Sequence, residues 1–110
     1  MQQLICKIDE LPEYGSKELE LNGEQCFAVR QGSEVYIYRN SCPHVGLPLN
    51  LVPDQFLDYD KRYIQCTSHG AIFEINTGKC VAGPCINESL EPIPCFIKNG
   101  NVVMETGDSH

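Results

Sequence analysis

The sequence predicts an all-β protein, an antiparallel β base domain carrying a small inserted lobe. Three observations predict it. The steps Asn22-Gly23 and Asn99-Gly100 each stand between strand-like runs, and Asn-Gly supplies the two positive-φ positions of a two-residue hairpin turn. Between Asn40 and Pro84 the chain carries Pro43, Pro48, Pro53 and Pro84, with Gly46, Gly70, Gly78 and Gly83 among them. A proline inside a helix costs about 3 kcal/mol, so this middle stretch reads as loops and short strands. Charge is also uneven: residues 1–40 and 86–110 each carry net −3, whereas residues 41–85 carry −1. One domain, 1–110, follows, with an acidic base (1–40 and 86–110) and a nearly neutral lobe (41–85).

The elements follow in chain order. Leu4–Ile8 is apolar enough for an opening strand, and Asp9-Glu10-Leu11-Pro12 is turn-prone. Glu18–Leu21 and Gln25–Arg30 flank the first Asn-Gly step. Alternation puts Cys26, Ala28 and Arg30 on one side of the second strand and Phe27 and Val29 on the other. After Gln31-Gly32-Ser33-Glu34 turns the chain, Val35–Arg39 is a β-branched and aromatic run. Short strands fit Tyr63–Gln65 and Ala71–Ile75, with a turn at Asn76-Thr77-Gly78-Lys79. Ile93–Lys98 and Asn101–Glu105 form the last hairpin, and Thr106–His110 is expected to fray.

Composition excludes several classes. Eight basic residues against fifteen acidic leave a net charge of −7, without the basic stripe that nucleic-acid binding needs. No apolar run approaches the ~18 residues of a membrane span. Leu4-Ile5-Cys6 is too short for a secretory h-region. A cytoplasmic monomer is expected. Seven cysteines cannot all pair within one chain. In a reducing compartment such residues serve as metal ligands, redox groups or small apolar fillers.

Two segments stand out, Cys42-Pro43-His44 and Cys66-Thr67-Ser68-His69-Gly70. Each offers one thiolate and one imidazole, and together they take two of the three histidines in the chain. A zinc finger of the two-Cys, two-His kind draws its cysteines from one segment and its histidines from another. Here each segment supplies one of each, which suits a binuclear [2Fe–2S] unit with two Cys on one iron and two His on the other. Cys42 and Cys66 would hold the inner iron, His44 and His69 the outer. Gly46 and Gly70, lacking Cβ atoms, would let backbone N–H groups approach the sulfurs.

On these residues the chain resembles the Rieske-type [2Fe–2S] ferredoxins. His69-Gly70-Ala71-Ile72-Phe73 is similar to the family's second cluster segment, and Asn76-Thr77-Gly78 to the turn after it. Gly83-Pro84 matches the proline-bearing loop that covers the cluster, and Leu90 with Pro92-Ile93-Pro94 fits the return to the base. The resemblance is strongest over 36–105. It implies three antiparallel sheets, a cluster at the tip of the lobe and one-electron transfer.

Two departures from the pattern matter. In the Rieske subunits of quinol-oxidising complexes a disulfide ties the two loops, and its positions fall here on Leu47 and Ser68. The serine and tyrosine whose hydroxyls bond the cluster sulfurs in those proteins are replaced by Ala71 and Phe73. A hydrogen bond to a charged acceptor is worth about 1.5–3 kcal/mol, and ~59 mV corresponds to ~1.4 kcal/mol, so the loss of two lowers the potential by up to ~100–250 mV. A potential of roughly −150 mV is expected, at the low end of the Rieske range. The second departure is the 45–65 loop: twenty-one residues separate His44 from Cys66. The excess falls in Leu51–Tyr63, with Asp54, Asp58, Asp60, Lys61 and Arg62 around Phe56 and Tyr59. It reads as a solvated loop with a small apolar anchor, or as a partner-docking or cluster-shielding loop.

Cys6, Cys26 and Cys95 are expected in the core; Cys80 and Cys85 flank the proline loop, either to pair under oxidation or with Cys85 packed beside the cluster. The resemblance implies a ferredoxin that carries one electron at a time from a flavoprotein reductase to a terminal oxygenase or reductase, through transient contacts, and that is not itself an enzyme. Three alternatives stand beside it: the small subunit of an assimilatory nitrite reductase, a redox- or iron-sensing interaction protein, and a structural zinc module.

Overall fold

The two Asn-Gly steps turn as their chemistry requires. Asn22 and Gly23 have φ of 53° and 85°, Asn99 and Gly100 of 53° and 78°. The structure, a computed structural model, describes residues 2–41, 56–57, 62–66, 70–83, 86 and 88–105. Among them are ten strands: β1 (Gln2–Lys7), β2 (Ser16–Leu21), β3 (Glu24–Gln31), β4 (Glu34–Arg39), β5 (Tyr63–Gln65), β6 (Ile72–Glu74), β7 (Cys80–Ala82), β8 (Pro92–Ile93), β9 (Phe96–Lys98) and β10 (Asn101–Glu105). The Asp9–Pro12 turn is replaced by a 3-10 turn at Ile8–Glu10.

Three antiparallel sheets result, ordered β1-β10-β9, β2-β3-β4-β8 and β5-β6-β7. The middle one is covered on both faces, and β3 explains why. Its odd residues Phe27 and Val29 join Tyr38, Ile64, Phe73, Ile75, Cys80 and Leu90 in one core, against the β5-β6-β7 sheet. Its even residues Cys26 and Ala28 join Cys6, Leu11, Leu21, Ile37 and Val102 in the other, against the β1-β10-β9 sheet. The strict alternation therefore marks a strand buried on both sides rather than a half-solvated one.

Arg30, on the even side, closes that second layer. Its guanidinium donates to the carbonyls of Gly32 (2.7 Å), Leu11 (3.1 Å) and Ile8 (3.2 Å). Cys6 and Cys26 are buried as expected, but Cys95 is only half-buried, its Sγ 3.5 Å from the Val35 carbonyl. Cys80, one of the two cysteines that flank the proline loop, is also described. It is a core residue on β7, 1% exposed, with Sγ 3.1 Å from the Ala82 carbonyl. Cys85 lies outside the described residues.

Tyr38 ties the middle sheet to the β5-β6-β7 sheet. It is 2% exposed and its hydroxyl donates to the Ile75 carbonyl at 2.6 Å. Burial, with neighbouring Tyr36 and Cys95, pushes the phenol up to about 12. An unfolded tyrosine titrates near ~10. A raised folded value means that its stabilisation is complete below pH ~10 and is lost as pH rises from ~10 to ~12, on the order of 2–3 kcal/mol. Burial likewise raises the Cys6, Cys26 and Cys95 thiols, so a shared decline begins at lower pH. Tyr38→Phe should flatten only the later part of the decline. Urea unfolding of both proteins at pH 8 and pH 11 checks this.

Candidate metal centre

The β5 strand delivers the sequence-predicted ligand Cys66. Ile64 on that strand is wholly buried against Phe73 of β6, its register partner. Cys66 itself has 0% exposure and belongs to the core that contains Phe27, Phe56, Phe73 and Ala71. Its backbone is held twice: its N–H donates to the Ala71 carbonyl at 2.8 Å, and its carbonyl accepts the Gly70 N–H at 2.7 Å. A tight turn thus leaves β5 at Cys66 and returns at Ala71 and β6. His69 belongs to the same stretch but lies outside the described residues, as do Cys42 and His44. Among the described residues no group of three or more His, Cys, Asp or Glu side chains is placed to hold a metal, since Cys66 alone of the four candidate ligands is described.

Two glycines shape this turn for different reasons. Gly70 has φ +73°, and an added Cβ would meet nothing within 4 Å among the described residues. Its conformation calls for glycine, and its N–H donates to the Cys66 carbonyl; Gly46, the other glycine expected near the sulfurs, lies outside the described residues. Gly83 is the close-approach position. At φ +98°, a Cβ there would stand 2.7 Å from Ala71 Cα and 3.2 Å from Ala71 N. The chain after β7 therefore packs directly on the backbone of the Cys66–Ala71 turn. The sequence signal was Gly83 beside Pro84, and it marked the loop without saying what the loop touches.

Ala71 and Phe73 are both 0% exposed. The wall behind Cys66 is apolar, and neither of those side chains carries a hydroxyl. Val81 and Ile86, on the two sides of Gly83 in the sequence, are apolar and 43% and 54% exposed.

The Rieske [2Fe-2S] domain family matches residues 1–98. The chain belongs to that family. Its cofactor is accordingly a Rieske-type [2Fe–2S] cluster, and the zinc alternative loses its basis. The cholesterol 7-desaturase of Caenorhabditis elegans is 32% identical to this Rieske chain over 107 residues, covering 91% of this chain and 24% of the desaturase. The chain thus spans about a quarter of that relative. The 3-phenylpropionate/cinnamic acid dioxygenase ferredoxin subunit of Photorhabdus laumondii is 24% identical over 107 residues, covering 97% of this chain and 96% of the subunit. Among solved structures, the ferredoxin of carbazole 1,9a-dioxygenase from Nocardioides aromaticivorans superposes with a TM-score of 0.77 at 20% identity, over 94% of this chain and 96% of that one. That likeness shows the same fold.

The described residues fit the Rieske cofactor on three counts. A thiol is withdrawn from solvent at Cys66, where a thiolate ligand would be shielded. The turn that carries it is fixed by two backbone hydrogen bonds. A third segment is pressed over that turn at Gly83, at a distance only glycine permits. Among the described residues no helix is long and apolar enough to cross a membrane.

Proposed function

We propose that this Rieske protein carries electrons singly from a flavoprotein reductase to a terminal oxygenase or reductase, with Cys42 and Cys66 as the sulfur ligands and His44 and His69 as the nitrogen ligands. The observation that carries the reading is the end-to-end match with a dioxygenase ferredoxin subunit, 97% of this chain against 96% of that one. When bound, the cluster supplies a one-electron couple. The chain's own residues do the rest. Cys66 and its turn hold one side of the site rigid. Ala71 and Phe73 exclude water and offer no hydroxyl to the sulfurs. Val81 and Ile86 present exposed apolar side chains suited to a small, fast-dissociating contact. The base, 1–40 and 86–110, holds most of the negative charge and steers encounter with a basic partner surface, less so at high salt. The lobe, 41–85, carries the ligands, and the protein acts as a monomer.

The test is a redox titration of the anaerobically purified protein, followed by electron paramagnetic resonance. A midpoint of roughly −150 mV is expected, and a value above about +150 mV would overturn the carrier reading, both limits being set by the known Rieske range. Adding a flavoprotein reductase and NADH should then reduce the protein, and mixing with an oxidised Rieske oxygenase should reoxidise it.

One observation favours a second reading. The 32% identity to a desaturase of which this chain spans 24% supports a Rieske domain that passes its electron to a catalytic domain of the same polypeptide. Slow reoxidation by every separate oxygenase tried, with fast reduction by a reductase, would favour it.

A further inference from the structure

Phe56, between the two ligand-bearing stretches in the sequence, lies in the same core as Cys66. Phe56 is 0% exposed, and its ring stacks on Phe27 of β3 with centroids 4.3 Å apart and planes 6° from parallel. Its N–H donates to Ser16 Oγ of β2 at 3.3 Å, and its carbonyl accepts the Gln65 N–H at 2.9 Å. Leu57 pairs antiparallel with Ile64. Phe56 and Leu57 therefore form a strand stub along the outer edge of β5, anchored at the other side to β2 and β3 of the middle sheet.

The stub ends one peptide short of the ligand. Gln65, which donates to Phe56, precedes Cys66, whose own N–H and carbonyl are taken by Ala71 and Gly70. The Gln65–Cys66 stretch is thus held at Cys66 by its turn and at Gln65 by Phe56. The stacked rings fix where that second support stands relative to the central sheet. We propose that Phe56 is a positioning residue for Cys66, and that Phe56 and Leu57 work as a clip that keeps the β5 edge closed and the thiolate dry. The proposal rests on the reading of Cys66 as a cluster ligand.

Three measurements on the holoprotein test it: release of the cluster to a chelator, the midpoint potential, and hydrogen exchange at the Gln65 amide. The variants are Phe56→Ala and the milder Phe56→Leu, with Val102→Ala in the opposite core as a control for general destabilisation. Loss of a supporting partner typically weakens a metal site 10–100-fold. Phe56→Ala should release the cluster at least about tenfold faster, exchange Gln65 faster and shift the potential upward as water beside Cys66 favours the more negative reduced state. Phe56→Leu should fall between it and wild type, and it carries the test alone if Phe56→Ala does not fold. Val102→Ala should leave all three readouts near wild type despite a similar drop in melting temperature. Unchanged readouts in the Phe56 variants, or equal changes in the control, overturn the proposal. A wild-type protein without a [2Fe–2S] signal would overturn the ligand reading instead. The clip is then decided by Gln65 exchange alone, which must accelerate in the Phe56 variants and not in Val102→Ala.

Discussion

Cys66→Ala should yield a colourless protein in which the β5-β6-β7 sheet loses protection while β1–β4, β9 and β10 keep theirs. The substitution removes only a sulfur from a core site, a loss comparable with other single-group deletions and worth on the order of 1 kcal/mol in packing. Any larger effect must come through the lost ligand. Residues 41–85 are few for an independent core, and bonds to a metal centre act as folding energy for the segments that supply them. The effect has a bound, because Ile64, Phe73, Ile75 and Cys80 also pack on Phe27, Val29 and Tyr38 of the middle sheet. The sheet should loosen from its Cys66–Ala71 end rather than detach. Cys80→Ala is the matched control: Cys80 is 1% exposed against 0% for Cys66 and belongs to the same core, but it is not a proposed ligand. That variant should keep its colour and lose only the packing term. Visible absorbance with amide exchange by NMR separates the two outcomes. A Cys66→Ala protein with native protection throughout 62–83 would contradict the assignment of a structural role to the cluster.

Much of the fold was legible because its punctuation is local. Asn-Gly steps state their turn type within two residues, and the alternation through Cys26–Arg30 survives intact because β3 is long and central. What escaped depends on contacts far along the chain. Ile93–Lys98 reads as one strand, but Pro94 and Cys95 divide it: Ile93 pairs with Ile37 in the middle sheet and Phe96 with Val103 in the next. Pro94 has no N–H to continue a ladder, and the chain changes sheets there. The three residues of β7 are too few to show a period, and their pairing is irregular between Ile72 and Phe73. Phe56 stood in a polar, aspartate-rich stretch, where only a tertiary partner 29 positions earlier, Phe27, reveals its burial. At the site, residue types and spacing named four ligands. Cys66 is described and lies in the core on its turn, whereas the other three fall outside the described residues. Gly83 looked like loop punctuation, yet its contact is with the turn that carries Cys66.

That contact makes Gly83→Ala a strongly disruptive change for the addition of a single methyl group. Two costs add. The residue sits at φ +98°, where an L side chain is disfavoured by roughly 1–2 kcal/mol. The new Cβ would also stand 2.7 Å from Ala71 Cα, a backbone atom that cannot rotate aside, and forced overpacking costs about 1–3 kcal/mol. A total loss of about 2–5 kcal/mol is expected. Gly70→Ala isolates the second cost. Its φ of +73° imposes a similar conformational penalty, but no described atom lies within 4 Å of the added Cβ, so its loss should stay near the first term of roughly 1–2 kcal/mol. Urea midpoints of the two variants at constant slope measure the difference directly. Equal losses would mean that the segment after β7 rides over the Ala71 turn without pressing on it. A larger loss at Gly83, with cluster absorbance weakened in parallel, is the expected signature of a third segment that holds the turn in place by contact.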